Sequence, residues 1–181
     1  MEKLTEIANK HNCDKGTKAY EAHGYTKEYA KYIPQEGKYT LLEIGVWHGD
    51  SLRMWQEYNR NLVIYGVDID WAVSNYMNRE TDPGVFIGDA TDIKFISLIV
   101  NGIGIPDFII DDGSHNYKDI IKTFEILYPR LKDGGIYFIE DLHAQQANRT
   151  KTLHDISKLL ALNTPKHSRL VCNDKLFIIQ K

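Results

Sequence analysis

The residues best equipped for chemistry stand in two short stretches. Phe108-Ile109-Ile110-Asp111-Asp112-Gly113-Ser114-His115 carries an apolar run into two carboxylates, a glycine and an imidazole. Gly135-Ile136-Tyr137-Phe138-Ile139-Glu140-Asp141 repeats the plan and ends on paired acids. Asp112, Glu140 and Asp141 are hard oxygen donors, the set that suits Mg²⁺ or a similar divalent ion with positions left open for water and substrate. Zinc would prefer nitrogen or sulfur, and Cys13 and Cys172 lie elsewhere, without metal spacing. Three such carboxylates without a cation would repel and raise one another's pKa values. An ion removes that difficulty and makes a bound hydroxyl far more acidic. His115, three residues after Asp112, is placed to take the hydroxyl proton as general base. Its alternatives are a cap on the following helix or a plain hydrogen bond to a carboxylate. His143 is a second candidate base. His48 reads as lining a glycine turn, His23 as part of a flap over the site, and His11, His154 and His167 as surface residues.

These stretches need an architecture that brings them together. Short apolar runs bounded by turn residues read as buried parallel strands, and open α/β sheets bind ligands beyond the carboxyl ends of their strands. The pattern predicts strands over Tyr39–Ile44, Leu62–Ile69, Val85–Ile87, Asp107–Ile110 and Ile136–Ile139. Helices alternate with them, from Asp50-Ser51 to about Asn59, then over Ile93–Val100, Tyr117–Leu131 and about Leu153–Leu162. Such alternation means right-handed crossovers and a mostly parallel sheet. Residues 2–10 have helical spacing, His11–Thr17 is a loop, and Tyr25–Ile33 is a second amphipathic segment stopped by Pro34. Arg169–Cys172 and Leu176–Ile179 flank Asn173-Asp174 as a tight hairpin, so the last strand must run antiparallel to a neighbour. Neither a repeat nor a linker divides the chain. One domain over residues 1–181 is expected, with 1–36 as a helical cap or flap and 37–181 as the core.

Beside the acids lies a second set of polar positions. Leu41-Leu42-Glu43-Ile44-Gly45-Val46-Trp47-His48-Gly49-Asp50-Ser51 is strand, glycine turn and helix start. Gly45 permits a sharp turn and close approach of a ligand, and Asp50 or Ser51 can cap the new helix. Gly45 and Gly49 do not have the dinucleotide spacing, and with Glu43 ahead of them they weaken a nicotinamide reading. Asp68, at the tip of the second strand, is placed for a ribose diol. Asp89 is placed for an exocyclic amine, while Asp92 serves equally as a helix cap. Glycine turn, diol acceptor and amine acceptor, after successive strands, are what a bound adenosine needs.

The totals set outer limits. The chain has 181 residues, 43% hydrophobic and 26% charged, the profile of an ordinary globular protein with one sizeable core. A net charge of −3 argues against a nucleic-acid partner. No apolar stretch reaches the length of a membrane span, the start lacks a signal-peptide core, and two cysteines fit a reducing compartment. The expectation is a cytoplasmic protein without a membrane partner.

At these residues the chain resembles the class I S-adenosylmethionine-dependent methyltransferases. Within them it is similar to the metal-dependent sugar O-methyltransferases of macrolide biosynthesis, of mycinamicin and tylosin type, and to cephalosporin-hydroxylase-like relatives. The matching elements are Asp14-Lys15-Gly16, His23-Gly24-Tyr25-Thr26, Leu42–Val46, Gly88-Asp89, Ile110–His115 and Gly134-Gly135 leading to Ile139-Glu140-Asp141-Leu142. The resemblance implies a single-domain Rossmann-like fold, a seven-stranded mostly parallel sheet with an antiparallel last strand and helices on both faces. It implies Mg²⁺ on Asp112, Glu140 and Asp141, with His115 as the base. It places Glu43, Gly45, Gly49 and Ser51 around the methionine part of the cofactor, Asp68 at the ribose, Asp89 and Ala90 at the adenine, and Asp111 in the same cofactor-facing set. Lys15 and Tyr25 fall in the family's cofactor-covering flap. Only His143–Thr150 follows the Glu-Asp pair before the next helix, and no large N-terminal domain precedes the core. A surface-polysaccharide sugar or a smaller glycoside therefore fits as well as a macrolide.

The leading expectation is methyl transfer to a sugar hydroxyl of a small molecule. Another metal-assisted reaction on the same fold is the second, a non-catalytic nucleoside-binding module the third, and a nicotinamide oxidoreductase the fourth. Tyr20, Tyr25, Tyr29 and Tyr32 can stack on a sugar, pack a homo-oligomer interface or fill the core.

Overall fold

The structure, a computed structural model, describes residues 2–142, 144, 146–163 and 165–181. His143, the second candidate base, lies outside them. The described residues form a seven-stranded sheet with helices on both faces. In chain order the elements are α1 (Glu2–Lys10), α2 (Thr26–Tyr29), β1 (Thr40–Ile44), α3 (Asp50–Tyr58), β2 (Val63–Asp68), β3 (Gly84–Ile87), α4 (Ile93–Ile103), β4 (Phe108–Asp111), α5 (Tyr117–Leu127), β5 (Ile136–Ile139), α6 (Gln146–Asn163), β6 (His167–Val171) and β7 (Leu176–Gln180). The strand order is β3-β2-β1-β4-β5-β7-β6. All pairs are parallel except those of β7, which runs antiparallel to β5 and β6. The mostly parallel sheet and the reversed final strand are as the alternating pattern and the closing hairpin predict.

Register and pleat decide which side each acid takes. Ile44, Asp111 and Ile139 stand level across β1, β4 and β5, and successive side chains point to opposite faces. One face carries Leu41, Phe108, Ile110, Ile136 and Phe138 under α1, α2 and α3. Glu43, Asp112 and Glu140 follow these residues at alternate positions and join that face. The other face carries Leu42, Ile44, Ile109, Tyr137 and Ile139, covered by α4, α5 and α6. Asp111 belongs to this second side, where its Oδ2 accepts the Tyr137 hydroxyl at 3.3 Å.

The N-terminal segment is built into the first face. Leu4, Ile7, Ala8, Tyr25, Tyr29 and Ile33 are buried there with Trp55. The loop between α1 and α2 is pinned by its own backbone: His23 N–H donates to Asp14 O, Gly24 N–H to Gly16 O and Thr26 N–H to Lys15 O. His11, half-buried, pairs with Glu57, its Nε2 lying 2.8 Å from Glu57 Oε2.

Elsewhere the structure moves element ends. The helix expected to reach Leu131 stops at Leu127 and tightens into a 3₁₀ turn over Tyr128–Arg130, where Pro129 can donate no helical hydrogen bond. α6 starts at Gln146, well before Leu153; its first turns (Asn148, Arg149, Thr150, Lys151) are polar, so no apolar stripe marks them. A 3₁₀ turn over Trp71–Asn75, capped by Asp70, had no periodic signal to reveal it.

Gly45 ties β1 to β4. Its φ is +86°, and a Cβ there would lie 2.0 Å from the Asp112 carbonyl oxygen. Gly45→Ala combines a left-handed backbone with a clash against main chain, so a loss of about 2–5 kcal/mol is expected. Urea unfolding measures it, and a variant as stable as the parent would show that the close approach is dispensable.

Candidate functional site

A cleft of about 670 Å³ opens at the carboxyl ends of the parallel strands, within the range of small-molecule sites. Of the residues singled out in the sequence, Lys15, Gly45, Ser51, Asp68, Asp89, Ala90, Asp111, Asp112, His115 and Asp141 line it. Tyr25, Glu43, Gly49 and Glu140 do not reach its surface. Several of these serve the scaffold as well. Asp68 Oδ2 accepts the N–H groups of Val46 and Trp47 at 2.8 and 3.0 Å, which fastens the glycine turn to β2. Asp89 Oδ1 accepts the Thr91 N–H at 2.7 Å. Asp92 caps α4, and Gly49, with φ +79°, is the left-handed residue from which α3 starts.

The acids are held from behind by the N-terminal segment. Lys15 is buried, and its ammonium lies 2.6 Å from Asp112 Oδ2, 3.0 Å from Glu140 Oε1 and 3.4 Å from Glu43 Oε1. The Tyr29 hydroxyl donates to Glu140 Oε1. The Tyr25 hydroxyl donates to Asp141 Oδ1 at 2.5 Å. Trp55 Nε1 donates to Glu43 Oε2 at 3.2 Å. The inner oxygens of Asp112 and Asp141 are thus anchored, and their other oxygens turn outward. His115 Nε2 stands 4.0 Å from Asp112 Oδ1 and 3.9 Å from Asp141 Oδ2, and His23 Nε2 is 3.3 Å from the latter.

Burial and charge shift the titrations in one direction. Burial, then the Asp112 charge, hold the Glu140 carboxyl well above the usual range, against the pull of Lys15. Burial raises Asp112 too, although Lys15 opposes it. Burial pushes Glu43 up to about 7, with Lys15 acting against the shift. Asp111 is likewise pushed up to about 7 by burial. For Lys15, burial favours the neutral amine, yet Asp112, Glu140 and Glu43 outweigh it and keep the ammonium charged. Burial and the neighbouring Asp141 and Glu140 raise Tyr25 and Tyr29 respectively, so both stay protonated donors.

Among the described residues, Asp112, His115 and Asp141 offer ligand atoms that all lie within 4.8 Å of one another. Two carboxylates, each anchored at one oxygen and turning the other toward the cleft, fit a hard divalent cation. Glu140 sits deeper, in contact with Lys15, so the grouping that faces the cleft differs from Asp112, Glu140 and Asp141. The sequence separates Asp111 from Asp112 by nothing, but the pleat sends them to opposite sides. α5 takes its cap from Asn116, whose side chain accepts the Lys118 N–H, so His115 is not used as a cap.

Sequence reasoning missed how far Lys15 reaches. It binds carboxylates distant in the chain, whereas the resemblance placed it only in a cofactor-covering flap. Arg53 was missed as well: its guanidinium donates to His48 O at 2.5 Å, Asp50 Oδ1 at 2.9 Å and Asp82 Oδ2 at 3.0 Å, joining the glycine turn to the segment after β2.

Sheet order and acid-lined cleft define a Rossmann-like α/β protein with its site beyond β1, β4 and β5. The chain belongs to the methyltransferase domain family, which matches residues 42–142. It is 34% identical over 148 residues to the 8-demethyl-8-alpha-L-rhamnosyl tetracenomycin-C 2'-O-methyltransferase of Streptomyces olivaceus, covering 77% of this chain and 37% of that protein. It is 35% identical over 126 residues to the mycinamicin VI 2''-O-methyltransferase of Micromonospora griseorubida, covering 65% and 30%. The MycE methyltransferase from the mycinamycin pathway, solved with Mg and SAH, superposes with a TM-score of 0.79 at 26% identity, over 98% of this chain and 54% of that one. Fibrillarin from Methanococcus jannaschii, at 14% identity and a TM-score of 0.57, covers 88% of this chain and 72% of its own and shares the fold. The chain thus spans about a third of these curated relatives' length and about half of MycE.

Two stability measurements in chelator follow from the ion network. Lys15→Met strands buried carboxylates, and an unfolding free energy lower by about 3–5 kcal/mol at pH 7.5 is expected. The deficit should shrink at pH 5 as the acids take up protons; a constant deficit would point to lost packing alone. Burial pushes the Asp111 carboxyl up to about 7 from its ordinary 3.8. The folded state therefore holds this proton more tightly, and the stability it contributes is present below about pH 4 and lost as pH rises through 7, at about 1.4 kcal/mol per unit. Asp111→Asn should flatten that fall; an unchanged slope would contradict it.

Proposed function

We propose that this chain transfers a methyl group from S-adenosylmethionine to a hydroxyl oxygen on a sugar of a small glycosylated acceptor, with Mg²⁺ or a similar divalent ion at the site. One observation carries the reading. Asp112 Oδ1 and Asp141 Oδ2 face His115 Nε2 at 4.0 and 3.9 Å at one end of the cleft, while Asp68, Asp89 and Ala90 line the same cleft. The names of the curated relatives, which are sugar O-methyltransferases, support it, as do the Mg and SAH bound to MycE.

When bound, S-adenosylmethionine supplies a methyl group on a sulfonium, and the divalent ion lowers the pKa of a hydroxyl beside it. Asp112 and Asp141 would hold the ion, and Glu140 would complete its surroundings from the inner side. Lys15, Tyr25 and Tyr29 fix the three acids, so their positions do not depend on the ligand. His115 Nε2 accepts the proton of the acceptor hydroxyl as the oxygen takes the methyl group. Imidazole is left for this task because oxygen donors satisfy a hard ion better. Gly45 lets the methionine part of the donor approach the turn after β1, with Ser51 bordering it and buried Glu43 behind the turn. Asp68 keeps acceptor capacity for the ribose, Asp89 and Ala90 take the adenine, and Asp111 supports the floor between the two ends. Residues 1–36 act as the cap that closes this region, and residues 37–181 as the core. No helix among the described residues is long and apolar enough to cross a membrane. A cytoplasmic setting, supported by the two free thiols, and a small-molecule rather than nucleic-acid partner, supported by the net charge of −3, belong to the same reading.

Calorimetry should show binding of S-adenosylmethionine and none of NAD. With 8-demethyl-8-alpha-L-rhamnosyl tetracenomycin C as acceptor, His115→Asn should keep cofactor affinity and lose about 10²–10⁴ in kcat. Asp112→Asn and Asp141→Asn should abolish the response to Mg²⁺. Binding of NAD in place of S-adenosylmethionine, or unchanged turnover in chelator, would sink the reading.

A further inference from the structure

We propose that the exposed indole of Trp47 is the stacking face of a pyranose subsite at the mouth of the cleft, with Tyr20 on its rim. This rests on the methyl-transfer reading and names what receives the acceptor. Trp47 is 70% exposed and Tyr20 88%, yet both line the cleft. Leaving a large aromatic face in water forgoes the favourable free energy of its burial. Trp47 also adopts φ +47°, a left-handed conformation that is an outlier for a bulky side chain and that glycine would take without strain. Folding alone therefore gives no reason for tryptophan here.

The ring is nevertheless held in place. Its backbone N–H donates to Asp68 Oδ2, and its indole stacks on the His48 imidazole at 4.2 Å and 20°. His48 in turn packs on the Tyr76 ring at 4.3 Å. Arg53 anchors this row from below through the His48 carbonyl. A strained, braced and solvent-facing aromatic in a cleft is a surface prepared for a ligand.

Position and chemistry select the ligand. Asp89 and Ala90 belong to the adenine end in this reading. Trp47 lines the same cleft as Asp112, His115 and Asp141, and the Gly45 backbone two residues before it abuts the Asp112 carbonyl. A pyranose offers an apolar C–H face to an aromatic plane and hydroxyls around its edge. Glu21, His23, His48 and Asp14, all in the wall of the cleft, supply acceptors and donors for those hydroxyls. Carboxylates on the rim disfavour an anionic acceptor, so a neutral sugar fits.

Ligand-observed saturation-transfer NMR on protein loaded with SAH and Mg²⁺ tests the subsite. The probes are methyl α-L-rhamnopyranoside, methyl β-D-glucopyranoside and methyl α-D-mannopyranoside, with SAH affinity measured in parallel by calorimetry. At least one glycoside should bind, with its ring C–H protons showing the strongest transfer. Trp47→Leu should weaken that binding about tenfold or more, Trp47→Phe by less, and both should keep SAH affinity within about twofold. Equal glycoside affinity in Trp47→Leu, or binding of SAH without binding of any glycoside, overturns the subsite. Failure of SAH itself to bind the parent protein would instead remove the methyl-transfer reading.

Discussion

One buried ammonium group organises the site. Lys15 lies among Asp112, Glu140 and Glu43 at hydrogen-bond or ion-pair distance, all on the same face of the sheet. A carboxylate in such a place is strongly disfavoured unless a cation meets it. Lys15 is equally dependent on the acids, because burial alone would drive its proton off. Strand tips and N-terminal loop therefore stabilise each other. The segment before β1 is not an appendage to the sheet: it carries the counter-charge, and Tyr25 and Tyr29 carry the hydrogen bonds, that let the acids point where they do.

That dependence also explains what the sequence could disclose. Strands announced themselves because β4 and β5 are continuous apolar runs ending in acids, a local pattern with a single structural meaning. The closing hairpin was equally local; Cys172, Asn173 and Asp174 all take left-handed φ values to turn it. Asp112, His115 and Asp141 were legible as chemistry for the same reason. The roles of Lys15 and Arg53 were not, since each acts on residues brought near only by the fold. Glu140 shares the plan of the other acids but lies deeper, against Lys15, and depth is not written in spacing. The opposite directions of Asp111 and Asp112 follow from the pleat once β4 is known to extend through Asp111.

Backbone strain is distributed to match. Among the described residues with positive φ that are not glycine, Asn12, Glu21, Trp47, His115 and Asp141 line the cleft. The remaining three, Cys172, Asn173 and Asp174, make the hairpin turn. Asn, Asp and His are enriched in the left-handed region, but Trp and Glu gain little from it. The chain holds these side chains in unfavourable conformations where a neighbouring element braces them: Asp68 under Trp47, Ser114 bonded to Asp119 beside His115, and Tyr25 on Asp141. Such strain persists only where surrounding contacts over-determine it, and it concentrates at sites that must present a group rather than bury it.

Charge counting connects the inner and outer layers. Glu43, Asp112, Glu140 and Asp141 are four carboxyls, and Lys15 supplies one positive charge among them. Burial and the Asp112 charge favour a proton on Glu140, which the Tyr29 hydroxyl and Lys15 flank. With that proton held, Lys15 offsets part of the charge that the other carboxyls carry, and the oxygens that turn outward belong to Asp112 and Asp141. A divalent cation at the cleft would meet both of these oxygens at once. The inner layer thus sets the position of the outer one: with Lys15 on one oxygen of Asp112 and Tyr25 on one oxygen of Asp141, two converging oxygens are left turned toward the cleft, with room for an ion.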